Sequence, residues 1–247
     1  LIKRIHIIGS DLISLCYVRL LPLCISLSTI SLDCSRIKRV FQAKMFDAAL
    51  RHIIDPPLNA VGTKIAATGV SANTITIAGF FLGLVAVPLI AIEEYGLALF
   101  FILLNRLFDG LDGAVARHSL LTDFGGYLDI VCDFIFYSAV VFAFALARPE
   151  NAVFAAFLIF SFMGTGSTFL TYAIMAEKHR ITTAIQGSKS LYYLGGLAEG
   201  GETIAAMVLM CLFPDYFFAI ALIFGGMCWI TTCTRIYAAW ATFGKSG

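Results

Sequence analysis

Six apolar stretches, each long enough or nearly long enough to cross a lipid bilayer, constrain this chain more than any other feature. A helix needs about 20 apolar residues to span the hydrocarbon core. The stretches lie at 72–92, 95–116, 124–147, 152–176, 191–213 and 216–240. Hydrophobic residues make up 60% of the chain and charged residues only 13%, which excludes an ordinary soluble protein. The sequence therefore predicts an all-α polytopic membrane protein with six transmembrane helices.

A short amphipathic segment precedes the first stretch. In residues 46–55 apolar side chains alternate with charged ones, which is typical of a helix lying in the membrane interface. Pro56 and Pro57 are expected to end that helix, because proline lacks the N–H that a helix interior needs. Ser71 and Asn73 then offer side-chain oxygens to the unpaired N–H groups at the start of the first span.

Residues 1–44 differ from the rest of the chain. They contain no Met and begin with Leu1, whereas Met45 opens the amphipathic segment. We therefore expect Met45 to be the natural start, residues 1–44 to be a leader outside the natural protein, and residues 45–247 to form a single membrane domain. The alternative is a short membrane segment at residues 12–30, which Arg19 and Pro22 interrupt.

Lysine and arginine in the short connections predict the orientation in the membrane, because they concentrate on the cytoplasmic side. One set of segments contains Arg51, Lys64, Arg117, Lys178, Arg180, Lys189, Arg235 and Lys245. The basic residue of the opposite set is Arg148, which lies beside Glu93, Glu94, Glu150 and Asp215. Both termini are therefore expected to be cytoplasmic. The net charge of +1 gives no indication of a nucleic-acid partner.

Four aspartates interrupt the second and third stretches. Charged residues in apolar spans are costly and usually face a cavity or a bound ion. Asp109 and Asp112 share one helical face, and Asp129 and Asp133 share a face of the next helix. A short turn joins the two helices, so the two pairs can converge on one centre. Oxygen-only ligands favour Mg²⁺ or Mn²⁺ over zinc, and two such ions can bridge the phosphates of a nucleotide.

Glycines and arginines accompany these aspartates. Gly113 and Gly125 allow either close approach of a ligand or tight helix packing. Arg106 and Arg117 can neutralise phosphate. The alternative is that the two arginines form ion pairs with the aspartates within the membrane. Two cations would then face four acids, so two carboxylates would lack a partner.

The pattern D-x-x-D-G-x-x-A-R followed by G-x-x-x-D-x-x-x-D resembles the signature of the CDP-alcohol phosphotransferases, which are membrane enzymes that make phospholipid head groups. The matching residues are Asp109, Asp112, Gly113, Ala116, Arg117, Gly125, Asp129 and Asp133. The resemblance covers roughly residues 45–240. It departs from the usual pattern in one respect, because seven residues rather than about eight separate Arg117 from Gly125.

The resemblance implies a metal-dependent transfer of a phosphatidyl group from CDP-diacylglycerol to a small alcohol, with release of CMP, by a homodimer in the cytoplasmic membrane. Asp133 would lie near two Mg²⁺ or Mn²⁺ ions and act as the base that deprotonates the acceptor hydroxyl. The other implied metal ligands are Asp109, Asp112 and Asp129. The implied nucleotide-donor site consists of Gly113, Ala116, Arg117 and Gly125. A rival within the family uses CDP-choline or CDP-ethanolamine and a lipid alcohol.

Four further residues are candidates for the acceptor site. Glu199 and Glu202 lie three residues apart in the fifth stretch and face one side; they either line the acceptor pocket or bond within the bundle. Lys189 belongs to a basic loop that either binds acceptor phosphate or contacts anionic lipid. Arg235 in the sixth stretch either pairs internally or binds the acceptor.

Two other classes of function compete with the transferase. A cation-coupled transporter would predict repeated halves, and no second acidic cluster occurs in residues 134–247. A membrane scaffold would leave the clustered aspartates unexplained.

Overall fold

The computed structural model of the protein describes residues 46–118, 122–179 and 196–244, with side chains from residue 56 onward. Residues 1–44, which we predict to be a leader, lie outside the described residues, as do Arg180, Lys189 and Lys245. All described residues belong to one compact unit, Lys44–Gly247. They form α-helices α1 Phe46–Ala67, α2 Ala72–Leu84, α3 Ala86–Ala91, α4 Tyr95–His118, α5 Asp123–Ala147, α6 Ala152–Lys178, α7 Gly200–Leu212 and α8 Phe217–Phe243. Short 3₁₀ turns at Pro149–Asn151 and Pro214–Tyr216 precede α6 and α8.

Among the described residues, four helical segments are long and apolar enough to cross a membrane. They are Ala72–Ala91, Asp123–Ala147, Pro149–Lys178 and Pro214–Phe243. Helix α7 is apolar but has only 13 residues, and the second half of α4 carries several charged side chains. The prediction of an all-α membrane protein is confirmed for the described residues, which contain no strand.

The first predicted span begins as expected and breaks near its middle. The Ser71 hydroxyl accepts a hydrogen bond from the Thr74 backbone N–H at 3.2 Å and caps α2. Helix α2 then ends at Leu84, four residues before Pro88. Proline cannot donate to the carbonyl four residues earlier, and its ring crowds that carbonyl. The single stretch predicted at 72–92 is therefore two helices, α2 and α3.

The prediction that Pro56 and Pro57 end the first helix is wrong, because α1 runs through both prolines to Ala67. The contact between α1 and α4 favours this continuation. A Cβ placed on Gly110 of α4 would lie 2.7 Å from Leu58 Cδ1, and one on Gly62 of α1 would lie 2.6 Å from the Cβ of Ala114. Such close packing stabilises the helix backbone despite the two missing N–H donors.

The fifth predicted span starts too early, because α7 begins at Gly200 rather than at 191. Residues 191–195 lie outside the described residues, and residues 196–199 are not helical. The buried Thr231 hydroxyl of α8 accepts hydrogen bonds from the backbone N–H groups of Leu197 and Ala198 at 2.9 and 3.0 Å. These bonds hold the segment against α8 and replace the helical bonds that it lacks.

The ends of the helices at residues 93–95 and 147–149 meet around Arg148. Its guanidinium donates to both carboxylate oxygens of Glu93, at 3.0 and 3.2 Å, and to Asp215 Oδ1 at 2.5 Å. These contacts hold the pKa of Glu93 below its usual range, chiefly through the hydrogen bond from Arg148. Beneath them the rings of Tyr95 and Phe144 stack with centroids 5.7 Å apart. This Arg148 cluster joins three connections of the bundle that the sequence assigned to one side of the membrane.

Candidate active site

Carboxylates from α4 and α5 converge on one pocket. One oxygen from each of Asp109, Asp129 and Asp133 lies within 4.8 Å of the others, and all three residues are half-buried. Asp112, which is 7% exposed, lines the same pocket. The four aspartates that the sequence singled out therefore meet at the ends of α4 and α5 remote from the Arg148 cluster.

Helix α2 forms a third wall because its glycines admit α4 at close range. A Cβ on Gly79 would lie 2.5 Å from the Cβ of Phe108, and one on Gly83 would lie 2.8 Å from the Asn105 side chain. The approach brings Thr76 of α2 into the pocket, where its hydroxyl donates to Asp112 Oδ2 at 2.5 Å. Asp112 is thus fixed by a neutral donor from a neighbouring helix.

Arg106 binds the other side of the acidic cluster. Its Nη2 donates to Asp133 Oδ1 at 2.8 Å, and its Nη1 lies 3.6 Å from Asp109 Oδ2. The Tyr137 hydroxyl accepts from Arg106 Nη1 at 2.9 Å and donates to Asp133 Oδ2 at 3.0 Å. In this structure Arg106 therefore contacts carboxylates, whereas the sequence suggested a role in neutralising phosphate.

The pocket fits a divalent metal of the magnesium class. Its converging donors are carboxylate oxygens from two rigid helices, which is the ligand type that Mg²⁺ and Mn²⁺ prefer. Four carboxylates face one guanidinium, so the lining retains an excess of negative charge in an apolar bundle. Of the ion pairs considered from the sequence, those of Arg106 are present, with Asp133 and more distantly with Asp109. The other arginine, Arg117, binds a neutral group instead.

The small residues and the arginine of the D-x-x-D-G-x-x-A-R pattern lie along the last turns of α4. Gly113 leaves open space, since a Cβ there would meet only Arg117 Nη1, at 3.7 Å. Ala116 is half-buried. Arg117 is exposed and donates through Nε and Nη2 to Asn59 Oδ1 of α1, at 3.1 and 2.7 Å. Arg117 thus tethers α1 to α4 at the pocket end of the bundle.

Gly125 lies in the first turn of α5, where packing is tight. Its N–H donates to the hydroxyl of the capping residue Thr122 at 3.1 Å. A Cβ at this position would lie 2.9 Å from Asn73 Oδ1. The close approach of α2 thus accounts for a glycine here, and ligand approach remains a prediction. A Cβ on the neighbouring Gly126 would meet nothing within 4 Å.

The acceptor candidates lie elsewhere in the bundle. Glu199 is the N-cap of α7, and it and Glu202 form a reciprocal capping box; Glu199 also accepts from the Gly196 N–H at 2.7 Å. The interpretation that both glutamates lie inside a helical span is wrong for Glu199, which precedes the helix, whereas Glu202 lies in its first turn. Arg235 is buried in α8, donates to the Thr165 carbonyl at 3.0 Å and packs over the Phe169 ring. Lys189 lies outside the described residues.

Sequence reasoning missed three polar residues of the pocket region: Thr76, Asn105 and Tyr137. Tyr137 follows Asp133 by one helical turn, so its spacing could have suggested the contact. Thr76 and Asn105 gave no comparable signal, because their positions depend on how α2 packs against α4.

Comparisons with known proteins identify relatives of the whole membrane unit. The family model of CDP-alcohol phosphatidyltransferase matches residues 69–241. The inner membrane protein YnjF of Escherichia coli is 49% identical over 199 residues, which are 80% of this chain and 97% of the relative. The archaetidylinositol phosphate synthase of Pyrococcus horikoshii is 28% identical over 193 residues, 77% of this chain and 94% of the relative.

A solved structure shares the fold. The crystal structure of Mycobacterium tuberculosis phosphatidylinositol phosphate synthase with CDP-DAG bound superposes with a TM-score of 0.59 at 18% identity. The match covers 74% of this chain and 93% of that one.

Proposed function

Because the chain belongs to the CDP-alcohol phosphatidyltransferase family, and is therefore a CDP-alcohol phosphotransferase of phospholipid synthesis, we propose that it transfers a phosphatidyl group from CDP-diacylglycerol to a small alcohol and releases CMP. The observation that carries this proposal is the convergence of Asp109, Asp129 and Asp133 within 4.8 Å in the pocket that Asp112 also lines. Membership of an enzyme family favours this reaction over the transporter and scaffold alternatives.

The donor assignment rests on the position of the pocket within a bundle of apolar helices and on one solved structure. The M. tuberculosis structure that shares the fold holds CDP-DAG. A pocket within a membrane bundle is suited to a donor whose acyl chains remain in lipid. Gly113, Ala116 and Arg117 would then face the cytidine diphosphate part, with Gly125 across the pocket.

In the proposed reaction the acceptor oxygen attacks the phosphorus attached to the lipid. Asp133 accepts the hydroxyl proton, the new P–O bond forms, and the P–O bond to CMP breaks, so that CMP leaves with the electron pair. Asp109, Asp112 and Asp129 would hold Mg²⁺ or Mn²⁺, with Asp133 beside it. Bound metal, two ions in our proposal, would stabilise the negative charge that develops on the phosphates.

The acceptor in this proposal is a small phosphorylated polyol. The names of two relatives support it. One is the archaetidylinositol phosphate synthase of P. horikoshii. The other is the bifunctional IPC transferase and DIPP synthase of Archaeoglobus fulgidus, and this chain covers 30% of that second relative. Arg235 and Lys189 are the basic residues that we propose for the acceptor phosphate. Glu199 and Glu202 would act through the start of α7, which they cap.

The membrane arrangement is part of the proposal. Helix α4 and the short α7 would complete six spans, and α1 would lie in the interface as an amphipathic arm. The excess of basic residues supports a pocket and two termini on the cytosolic side. Residues 45–247 would form the single catalytic domain, and two copies would form a homodimer.

The test is CMP release by the purified chain in detergent with CDP-diacylglycerol, Mg²⁺ or Mn²⁺, and one acceptor at a time. The panel contains inositol phosphate, glycerol 3-phosphate, inositol, serine and choline. We expect acceptor-dependent release that chelator and Asp133→Asn abolish. A matched control is Asp215→Asn, an aspartate at the other end of the bundle, which should leave release intact.

If CDP-diacylglycerol supports no release with any acceptor, CDP-choline or CDP-ethanolamine with diacylglycerol tests the other donor class. Release only in that second assay would replace the proposed donor. Release in neither assay would refute the proposed reaction.

A further inference from the structure

Arg106 lies outside the D-x-x-D-G-x-x-A-R pattern, yet it contacts two of the pocket carboxylates. We propose that Arg106 is a counter-cation built into the acidic pocket, where it weakens divalent-ion binding because it shares the same carboxylates. It is also a positioning residue that orients Asp133 together with Tyr137. The inference rests on the metal-dependent transferase proposed above and assigns roles to two residues that the pattern does not include.

The contacts place a single positive charge between the two acidic helices. Arg106 is on α4 with Asp109, and it reaches across to Asp133 on α5 at 2.8 Å. The Arg106 side chain is only 15% exposed, so water screens these interactions weakly. Both carboxylate oxygens of Asp133 are engaged, one by Arg106 and the other by the Tyr137 hydroxyl.

Neutral groups hold the guanidinium in place independently of the acids. Arg106 Nε donates to Asn105 Oδ1 at 2.9 Å, and Asn105 Nδ2 donates to the Gly79 carbonyl of α2 at 2.9 Å. The guanidinium also lies 5.2 Å from the ring centroids of Phe136 and Tyr137. Since these contacts do not involve the metal ligands, the positive charge stays beside the pocket when a cation enters.

This fixed charge has a measurable effect on metal affinity. Replacing Arg106 with a neutral residue raises the excess of carboxylates over arginines in the pocket from three to four. At a separation on the order of 6 Å, removing one unit positive charge strengthens binding of a divalent ion by roughly tenfold even at the dielectric constant of water.

The same contacts orient the proposed base. A carboxylate offers about four lone-pair directions, and the two donors from Arg106 and Tyr137 fix its plane without occupying all of them. Lysine would restore the charge but not the planar fork. Arg106→Lys should therefore keep the metal affinity and lower turnover, and Tyr137→Phe should do the same because it removes a donor without changing charge.

The test measures Mn²⁺ binding to the full-length chain in detergent, by electron paramagnetic resonance of free Mn²⁺. We expect Arg106→Gln to bind Mn²⁺ about tenfold more tightly than the unsubstituted chain, and Arg106→Lys to remain within about twofold. Arg148→Gln is the matched control, because it removes an arginine with two carboxylate partners at the other end of the bundle and should leave Mn²⁺ affinity unchanged.

A second background keeps the test decisive if Arg106→Gln alone fails to fold. Removing both partners of a buried ion pair is less disruptive than removing one. Asp133→Asn with Arg106→Gln should bind Mn²⁺ about tenfold more tightly than Asp133→Asn alone. If Mn²⁺ binds equally well or more weakly after Arg106 is replaced, in whichever of the two backgrounds folds, the inference is overturned. Absence of Mn²⁺ binding to the unsubstituted chain would instead overturn the metal proposal itself.

Discussion

Gly62→Ala tests the packing that positions the acidic half of α4. The added Cβ would lie 2.6 Å from the Cβ of Ala114 and 3.0 Å from its backbone carbon. Carbon atoms in ordinary contact lie about 3.5–4.0 Å apart, so α1 and α4 would have to separate by roughly 1 Å. Because a helix backbone cannot rotate away as a side chain can, we expect a loss of about 1–3 kcal/mol in unfolding free energy.

The assay is thermal unfolding of the detergent-solubilised chain. A loss of that size corresponds to a Tm lower by about 2–4 °C for each kcal/mol in a chain of this length. The matched control is Gly226→Ala in α8, where a Cβ would meet nothing within 4 Å. That variant should be as stable as the unsubstituted chain or gain up to about 1 kcal/mol from the better helix former. Equal Tm values for the two variants would refute the packing argument.

Three further predictions concern the segment that precedes α7, the Arg148 cluster and the metal. Thr231→Val should lower the unfolding free energy by about 1–3 kcal/mol, because it leaves two backbone N–H groups without their acceptor, and Thr231→Ser should restore it in the same Tm assay. Since Arg148 lowers the folded-state pKa of Glu93, the stability from this pair is present above the ordinary glutamate pKa of about 4.3 and is lost as the pH falls through the lower folded-state value. A pH series of Tm should show this loss, and Arg148→Gln should remove that part of the pH dependence. Mn²⁺ at about 100 times its Kd should add about 2.7 kcal/mol of stability, seen as a higher Tm, and Asp109→Asn should diminish the increase.

The sequence predicted the helical class and most helix positions, because long apolar stretches allow no other common structure in lipid. The errors lie where local backbone chemistry competes with hydropathy. Hydropathy continued the fifth span back to residue 191, although the capping box of Glu199 and Glu202 starts the helix at Gly200. Hydropathy also missed the break before Pro88. The two prolines of α1 do not end the helix, because its packing against α4 depends on tertiary contacts that hydropathy does not show.

For the candidate site, spacing along α4 and α5 predicted which carboxylates share a face, and the structure brings them together. Their roles as metal ligands and base remain predictions. The pairing of Arg106 with Asp133 could not be predicted, because it depends on the rotation of α5 relative to α4. The hydrogen bond from Thr76 to Asp112 likewise could not be predicted, because it depends on how closely Gly79 allows α2 to pack against α4.

The Arg148 cluster holds one end of the bundle through a single side chain. One guanidinium fastens the connections at Glu93 and Asp215 to its own, at the end of α4 and α5 remote from the aspartates. The pocket end is held instead by separate pairs, such as Arg106 with Asp133 and Thr76 with Asp112. We therefore expect loss of Arg148 to loosen three connections at once, whereas loss of one pair at the pocket end loosens only the two helices that the pair joins.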